Sequence, residues 1–231
     1  MKVLVLAGGE GRRLRPVLGD LPKCLAEVQG RPFIEYQIEL LKSEGIREFI
    51  LCVGLGANLV QRVLGNGERL GVSISYSTEE TPLGTAGAIK NAGAHIDGRF
   101  LCTNGDTLVE FSLKDMEESH VNAGAVGTIV FRMNDATGKG TIKIGPGGLV
   151  RGFEEKTQHG AAAFINCGFY LMEKELLEHI PSGQPVSLEE EIFPKLLSSG
   201  LKLFAFPARG VFVDIGTPEE YLLIREKGWK Q

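Results

Sequence analysis

Up to Thr103 the chain alternates short β-branched runs with longer amphipathic segments, and this alternation restricts the fold more than any other feature. Val3 to Leu6 reads as a strand, Phe33 to Ser43 as a helix, and Glu48 to Val53 as a strand again. Asn58 to Leu64 (helix), Val72 to Tyr76 (strand), Thr85 to Ala94 (helix) and Phe100 to Thr103 (strand) continue the series. In the first helix Phe33, Ile34, Gln37, Leu40 and Leu41 follow helical spacing, and Gly45 supplies a stop. Such a βαβα series predicts a mostly parallel sheet with helices on both faces.

After Ser119 the pattern changes to strands separated by Gly-rich turns: Gly124 to Arg132, Gly140 to Ile144, Leu149 to Glu154 and Ala163 to Leu171. Gly145-Pro146-Gly147-Gly148 marks a hairpin turn, so an antiparallel, β-rich insertion is expected. Two helix starts follow: Ser187 with Glu190 three positions on, and Thr217 with Pro218 at the first helical position and Glu220 at the third. Lys202 to Pro207 and Val211 to Asp214 read as strands. No Pro- or Ser-rich linker interrupts the chain, which predicts a single domain over residues 1–231.

Composition narrows the function classes. Lys plus Arg number 25 against 29 Asp plus Glu, a net charge of -4, which argues against a nucleic-acid binder carried by a basic surface. Cys24, Cys52, Cys102 and Cys167 are widely spaced without a CxxC pair and read as buried thiols of a reducing compartment. The longest apolar stretches, Phe49 to Val60 and Ala161 to Met172, fall short of the ~20 residues of a membrane helix. A cytoplasmic protein with no membrane partner is the expectation.

The first strand runs through Leu6 into Ala7-Gly8-Gly9-Glu10-Gly11-Arg12-Arg13-Leu14-Arg15-Pro16, with Lys23 after Leu21-Pro22. Glycine lets backbone N–H groups approach an anion, and the arginines and lysine concentrate positive charge in an acidic chain. That combination suits a polyphosphate. The dinucleotide fingerprint GxGxxG fails at Leu14, and GxxxxGK[ST] does not occur.

Gly8 to Pro16 with Pro22-Lys23 resembles the GGxGTRLxP...PK motif of the sugar-1-phosphate nucleotidyltransferases, with Arg12 where that family usually has Thr. The similarity continues in Pro82-Leu83-Gly84-Thr85-Ala86-Gly87-Ala88, Asn104-Gly105-Asp106, Phe153-Glu154-Glu155-Lys156, Ile165 to Tyr170 and Val213 to Pro218. It implies a Rossmann-like α/β fold with a nucleotide-binding half at about 1–120 and a sugar-binding half at about 121–231. It also implies transfer of a nucleotide from an NTP to a sugar 1-phosphate with Mg²⁺, releasing pyrophosphate. A homo-oligomer is compatible with it.

The resemblance distributes roles. Arg13 would contact the phosphates and Lys23 neutralise charge at the reacting phosphate, while Leu6 to Gly9, Gly11, Arg12, Pro82, Gly84, Thr85, Asn104 and Gly105 surround the nucleotide. Asp106 and Asp214, each just after an apolar strand, would hold the Mg²⁺, a hard cation suited to carboxylates and phosphate oxygens. Glu155, Lys156, Asn166 and Gly168 would bind the sugar phosphate.

A phosphate monoester is already largely dianionic at neutral pH, so no general base is needed, and His95, His120, His159 and His179 are read as surface or structural. Glu79, four positions before Leu83, is a candidate base reader; a carboxylate only accepts, which complements the adjacent N1–H and 2-amino donors of guanine. With Pro185 to Pro194 and the short chain, this resembles most closely the D-glycero-D-manno-heptose 1-phosphate guanylyltransferases. Mannose-1-phosphate guanylyltransferases, UTP- or dTTP-dependent hexose 1-phosphate enzymes and a catalytically silent nucleotide-sugar-binding module are the alternatives.

Overall fold

The computed structural model describes residues 1–9, 11–135, 140–154 and 162–229. The strands are β1 (Lys2–Leu6), β2 (Glu27–Val28), β3 (Arg31–Pro32), β4 (Glu48–Val53), β5 (Ser73–Thr78), β6 (Phe100–Asn104), β7 (Thr107–Val109), β8 (Gly127–Asp135), β9 (Thr141–Ile144), β10 (Val150–Glu154), β11 (Ala162–Met172), β12 (Leu203–Pro207) and β13 (Phe212–Asp214). The α-helices are α1 (Arg15–Leu18), α2 (Phe33–Ser43), α3 (Ala57–Leu64), α4 (Gly84–Asn91), α5 (Leu113–Ala123), α6 (Phe193–Ser198) and α7 (Pro218–Lys227).

Nine strands form one sheet with the path β10-β9-β11-β6-β1-β4-β5, and β8 joins β11 to β12. β1 pairs in parallel with β4 on one edge and β6 on the other, and β4 pairs in parallel with β5. β11 is antiparallel to both β6 and β8. Side chains alternate across the sheet. Val3, Val5, Phe49, Leu51 and Leu101 pack with Ile34, Ile38 and Leu41 of α2 on one face. Leu4, Ile50, Cys52 and Cys102 pack with Ile89 of α4 and Phe193 and Leu196 of α6 on the other. A third cluster ties the N-terminal loop to the end of the chain, joining Leu14 to Val213, Ile215 and Tyr221 of α7.

The predicted mostly parallel α/β sheet is present, with three differences. The β-rich insertion extends the same central sheet through β11, because its antiparallel strand pairs with β6. Helix α5 was not expected: only Leu113, Met116 and His120 face inward, among Lys114, Asp115, Glu117 and Glu118, so its apolar period is faint. Its ends are nevertheless well marked, by Ser112, whose side chain accepts from the Asp115 N–H, and by Gly124 at φ 59°. The helix after Ser187 begins as a π-turn over Leu188–Ile192 before α6. The Ser187 and Thr217 caps form as expected, each accepting from the N–H three residues on.

His120 is buried between β8 and β11, with Nδ1 2.7 Å from the Thr128 hydroxyl and Nε2 3.1 Å from Glu173. Arg99 donates to the same Glu173 oxygen at 2.6 Å and 2.8 Å. Burial holds the imidazole below its ordinary value despite Glu173. Burial works against the Glu173 carboxylate, but Arg99 and His120 together hold it below its ordinary value. Both groups therefore bind more protons in the unfolded chain, and stability is lost on acidification. The denaturation midpoint should fall between about pH 7.5 and 5.5, and His120→Gln should flatten that fall, as urea melts at both pH values would measure.

Candidate active site

The strand order reverses at β1, since the chain passes from β1 to β4 and β5 on one side and returns to β6 on the other. A crevice opens at the carboxyl ends of strands at such a point. Here it is a cleft of about 430 Å³, lined by residues 6–9, 11–14, Lys23, Cys24, Glu79, Pro82, Gly84, Thr85, Ala88, Asn104 to Asp106 and Gly216. The structure thus brings together Leu6, Ala7, Gly8, Gly9, Gly11, Arg12, Arg13, Lys23, Glu79, Pro82, Gly84, Thr85, Asn104, Gly105 and Asp106. Glu155 and Lys156 lie outside the described residues.

The loop is shaped by packing as well as by glycine. Leu14, where a dinucleotide fingerprint would need glycine, is 1% exposed and anchors the loop in the third core cluster. Lys23 follows Pro22 in a short 3-10 turn and pairs with the Asp106 carboxylate; both side chains are largely sheltered. Cys24 also lines the cleft, but burial pushes its thiol up to about 12, so it is no nucleophile.

Asp214 is a wall behind the cleft. β13 pairs with β7 so that Asp214 faces Thr107, and the Ile215 N–H donates to the Asp106 carbonyl at 3.0 Å. Asp214 Oδ1 accepts from the Gly216 N–H at 2.6 Å, and a side chain added at Gly216 would come within 3.5 Å of Arg13 Nη2. Arg13, Asp214 and the Asp106 turn therefore converge at Gly216. Among the described residues no group of three or more His, Cys, Asp or Glu side chains could hold a metal ion. The Asp106 carboxylate, in the turn before β7, and the Asp214 carboxylate, at the end of the paired β13, are of the donor type that suits Mg²⁺, which is usually held by one or two carboxylates with substrate phosphates and water completing the shell.

Glu79 follows β5 and lies half-buried, its Oε2 accepting from the Leu83 N–H at 3.1 Å. Its Oε1 fills the space beside Gly8, where any β-carbon would overlap it. Burial raises the Glu79 carboxyl above its ordinary value, partly offset by the Leu83 hydrogen bond.

In β11, Asn166 donates to the Tyr170 hydroxyl at 2.9 Å and accepts from the Gly168 N–H at 2.9 Å. Gly168 has φ 66°, and a β-carbon there would strike the Asn104 side chain, so the two halves meet at this point. Sequence reasoning missed the link beneath. Tyr170 donates to Glu189 Oε1 at 2.7 Å, and the Thr85 hydroxyl donates to Glu189 Oε2 at 2.9 Å. Thr85 also accepts from the Leu188 N–H at 2.7 Å, so its hydroxyl is already engaged by that segment. Glu189 lies inside Pro185 to Pro194, which gave a signal for the segment but none for the residue.

The fold and this cleft define an α/β domain with a polar crevice at the carboxyl ends of its central strands. The sequence profile of the family described as Nucleotidyl transferase matches residues 2–230, and the chain belongs to that family. It is 36% identical over 228 residues to the mannose-1-phosphate guanylyltransferase catalytic subunit beta of Danio rerio, covering 96% of this chain and 63% of that protein. It is 34% identical over 222 residues to the mannose-1-phosphate guanylyltransferase of Mycobacterium tuberculosis, covering 95% and 62% respectively. The chain thus spans less than two thirds of these relatives' length. The crystal structure of HddC from Yersinia pseudotuberculosis complexed with GMP-PN superposes with a TM-score of 0.86 at 32% identity, covering 98% of each chain. No helix among the described residues is long and apolar enough to cross a membrane.

The raised Glu79 carboxyl has a consequence for stability. The folded protein keeps its proton to higher pH than the unfolded chain, so the stability it contributes at low pH is lost as pH rises through the folded value. Glu79→Gln should therefore stabilise the ligand-free protein near pH 7 and leave it unchanged near pH 4, as denaturation midpoints at the two pH values would measure.

Proposed function

We propose that the chain is a GTP-dependent sugar-1-phosphate guanylyltransferase acting on a manno-configured sugar, with D-glycero-D-manno-heptose 1-phosphate as substrate. The observation that carries this reading is one cleft lined by Arg12, Arg13 and Lys23 together with the carboxylates of Asp106 and Glu79, with Asp214 held beside it through the Gly216 N–H. The bound GMP-PN of the HddC crystal structure and the names of the curated relatives support guanine. Mannose 1-phosphate is the second reading, favoured by those same names.

In the proposed reaction an oxygen of the sugar 1-phosphate attacks the α-phosphorus of GTP, the new P–O bond forms, and the bond to the departing pyrophosphate breaks. No proton need be removed from a nucleophile that is already dianionic. Arg13 holds the triphosphate and Lys23 exchanges Asp106 for the α-phosphate, which lowers the charge repelling the attacking anion. Asn166 and Gly168, with Glu155 and Lys156 of the same motif set, orient the sugar phosphate. Asp106 and Asp214 would hold a Mg²⁺, which when bound neutralises charge on phosphate oxygens. Glu79 keeps lone pairs on both oxygens to accept from N1–H and the 2-amino group of guanine.

A panel of NTPs against sugar 1-phosphates, read by pyrophosphate release, tests the reading. GTP with the heptose 1-phosphate should turn over best, and turnover with no pair would leave a silent binding module. Glu79→Gln should reduce selectivity for GTP about tenfold to a hundredfold, the usual effect of a donor facing a donor. Unchanged selectivity would remove Glu79 from the base site.

The carboxylate pair has its own test. Asp106→Asn and Asp214→Asn should each lower kcat by several orders of magnitude, and the double variant should be little worse than the poorer single one, because groups acting as a unit are strongly non-additive. Losses that multiply independently would separate the two residues.

A further inference from the structure

Gln37 lies on the buried face of α2 and is 3% exposed. Its helical neighbours inward are apolar, Ile34, Ile38 and Leu41, and a hydrocarbon would pack there at no polar cost. The chain keeps an amide instead. Its Nε2 donates to the Asn104 carbonyl at 2.7 Å and also to the Thr107 carbonyl. These carbonyls bracket the turn that carries Asp106, so both N–H donors of one side chain close on the two ends of one loop.

The remaining atom makes the placement pointed. Gln37 Oε1 is the only buried side-chain nitrogen or oxygen without a partner among the described residues. The opposite orientation of the amide would set Oε1 against two carbonyl oxygens, so the carbonyls dictate which way it faces. A buried unsatisfied acceptor costs free energy, and one retained beside a functional loop calls for an explanation.

Lys23 pairs with the Asp106 carboxylate, and two backbone contacts hold the turn from its flanks. The Gly105 N–H donates to the Leu6 carbonyl at 2.9 Å, and the Asp106 carbonyl accepts from Ile215 at 3.0 Å. Neither restrains the Thr107 carbonyl. Gln37 joins the Asn104 and Thr107 carbonyls from α2, through a single side chain. We propose that Gln37 is a positioning residue that clamps the Asn104–Thr107 turn and thereby sets where the Asp106 carboxylate stands beside Lys23 and Asp214. Its kinetic arm rests on the function proposed above; its exchange arm does not.

Gln37→Met keeps length and volume and removes both donors, whereas Gln37→Glu keeps the shape and turns acceptors toward the carbonyls. Amide hydrogen exchange across Asn104–Thr107 should quicken at least tenfold in the Met variant, with the amides of β1 and α2 unchanged. With GTP and the sugar 1-phosphate, kcat should fall about tenfold to a hundredfold while KM for GTP stays within about threefold, since small misplacements of a reacting-site group cost rate. A folded Met variant with unchanged exchange or unchanged kcat overturns the proposal. So does a uniform rise in exchange across the sheet, or failure of both variants to fold, either of which makes Gln37 an ordinary core residue. If wild-type protein turns over no NTP and sugar pair, the functional reading fails and the exchange measurement decides the clamp alone.

Discussion

β1 is paired along both edges and buried on both faces, with Val3, Leu4 and Val5 wholly inaccessible. A strand so enclosed leaves its carboxyl end between two others, and the chain must exit there without a side chain blocking the gap. The Ala7 N–H donates to the Cys52 carbonyl and the Gly105 N–H to the Leu6 carbonyl, so the ends of β1, β4 and β6 are laced together just where the loop begins. Leu14 is the buried apolar anchor of the loop, packed with Val213, Ile215 and Tyr221. Gly8, Gly9, Gly11, Arg12 and Arg13 are left facing the crevice.

Charge within that crevice is organised by exchange of partners. In a chain of net charge -4, Lys23 is held by Asp106, and Arg13 lies beside Gly216, which Asp214 grips. Lys23 thus has a carboxylate partner before any ligand arrives, which limits the cost of sheltering it. On the proposed reading a polyphosphate takes the cations and leaves the carboxylates to a hard metal ion. Beneath the crevice Glu189 joins Thr85 to Tyr170 and hence to Asn166, so α4 and β11 share one polar support.

What the sequence makes legible follows from how local each signal is. Helix α2 spans Phe33–Ser43 as expected, because its apolar period is strong and Gly45 ends it. The cleft residues of the first loop, of Pro82 to Thr85 and of Asn104 to Asp106 were readable because they sit in short contiguous motifs. Helix α5 was not, since one of its three buried positions is His120, whose place depends on Glu173, 53 residues away. Gln37 looked like an ordinary point on an apolar stripe; its partners stand 67 and 70 positions further on. Glu189 reaches Thr85 across 104 positions. Polar residues whose partners are remote leave no periodicity, and only the folded chain reveals them.

The same distinction separates what holds the ligand-free protein together from what the site holds in readiness. His120 and Glu173 satisfy one another, with Arg99 completing the set, and their perturbed protonation favours the folded state near neutral pH. Glu79 is the reverse. Its carboxylate is partly desolvated against Gly8, has the Leu83 N–H as a partner, and is disfavoured in its charged form. On the proposed reading, a base edge presenting two donors would supply hydrogen bonds where water has been removed, and part of the binding energy would come from relieving an unfavourable charge. A uracil or thymine edge, with a single donor between acceptors, would place a carbonyl oxygen against that carboxylate. On the proposed reading, selectivity would arise as much from repulsion of the wrong base as from attraction of the right one.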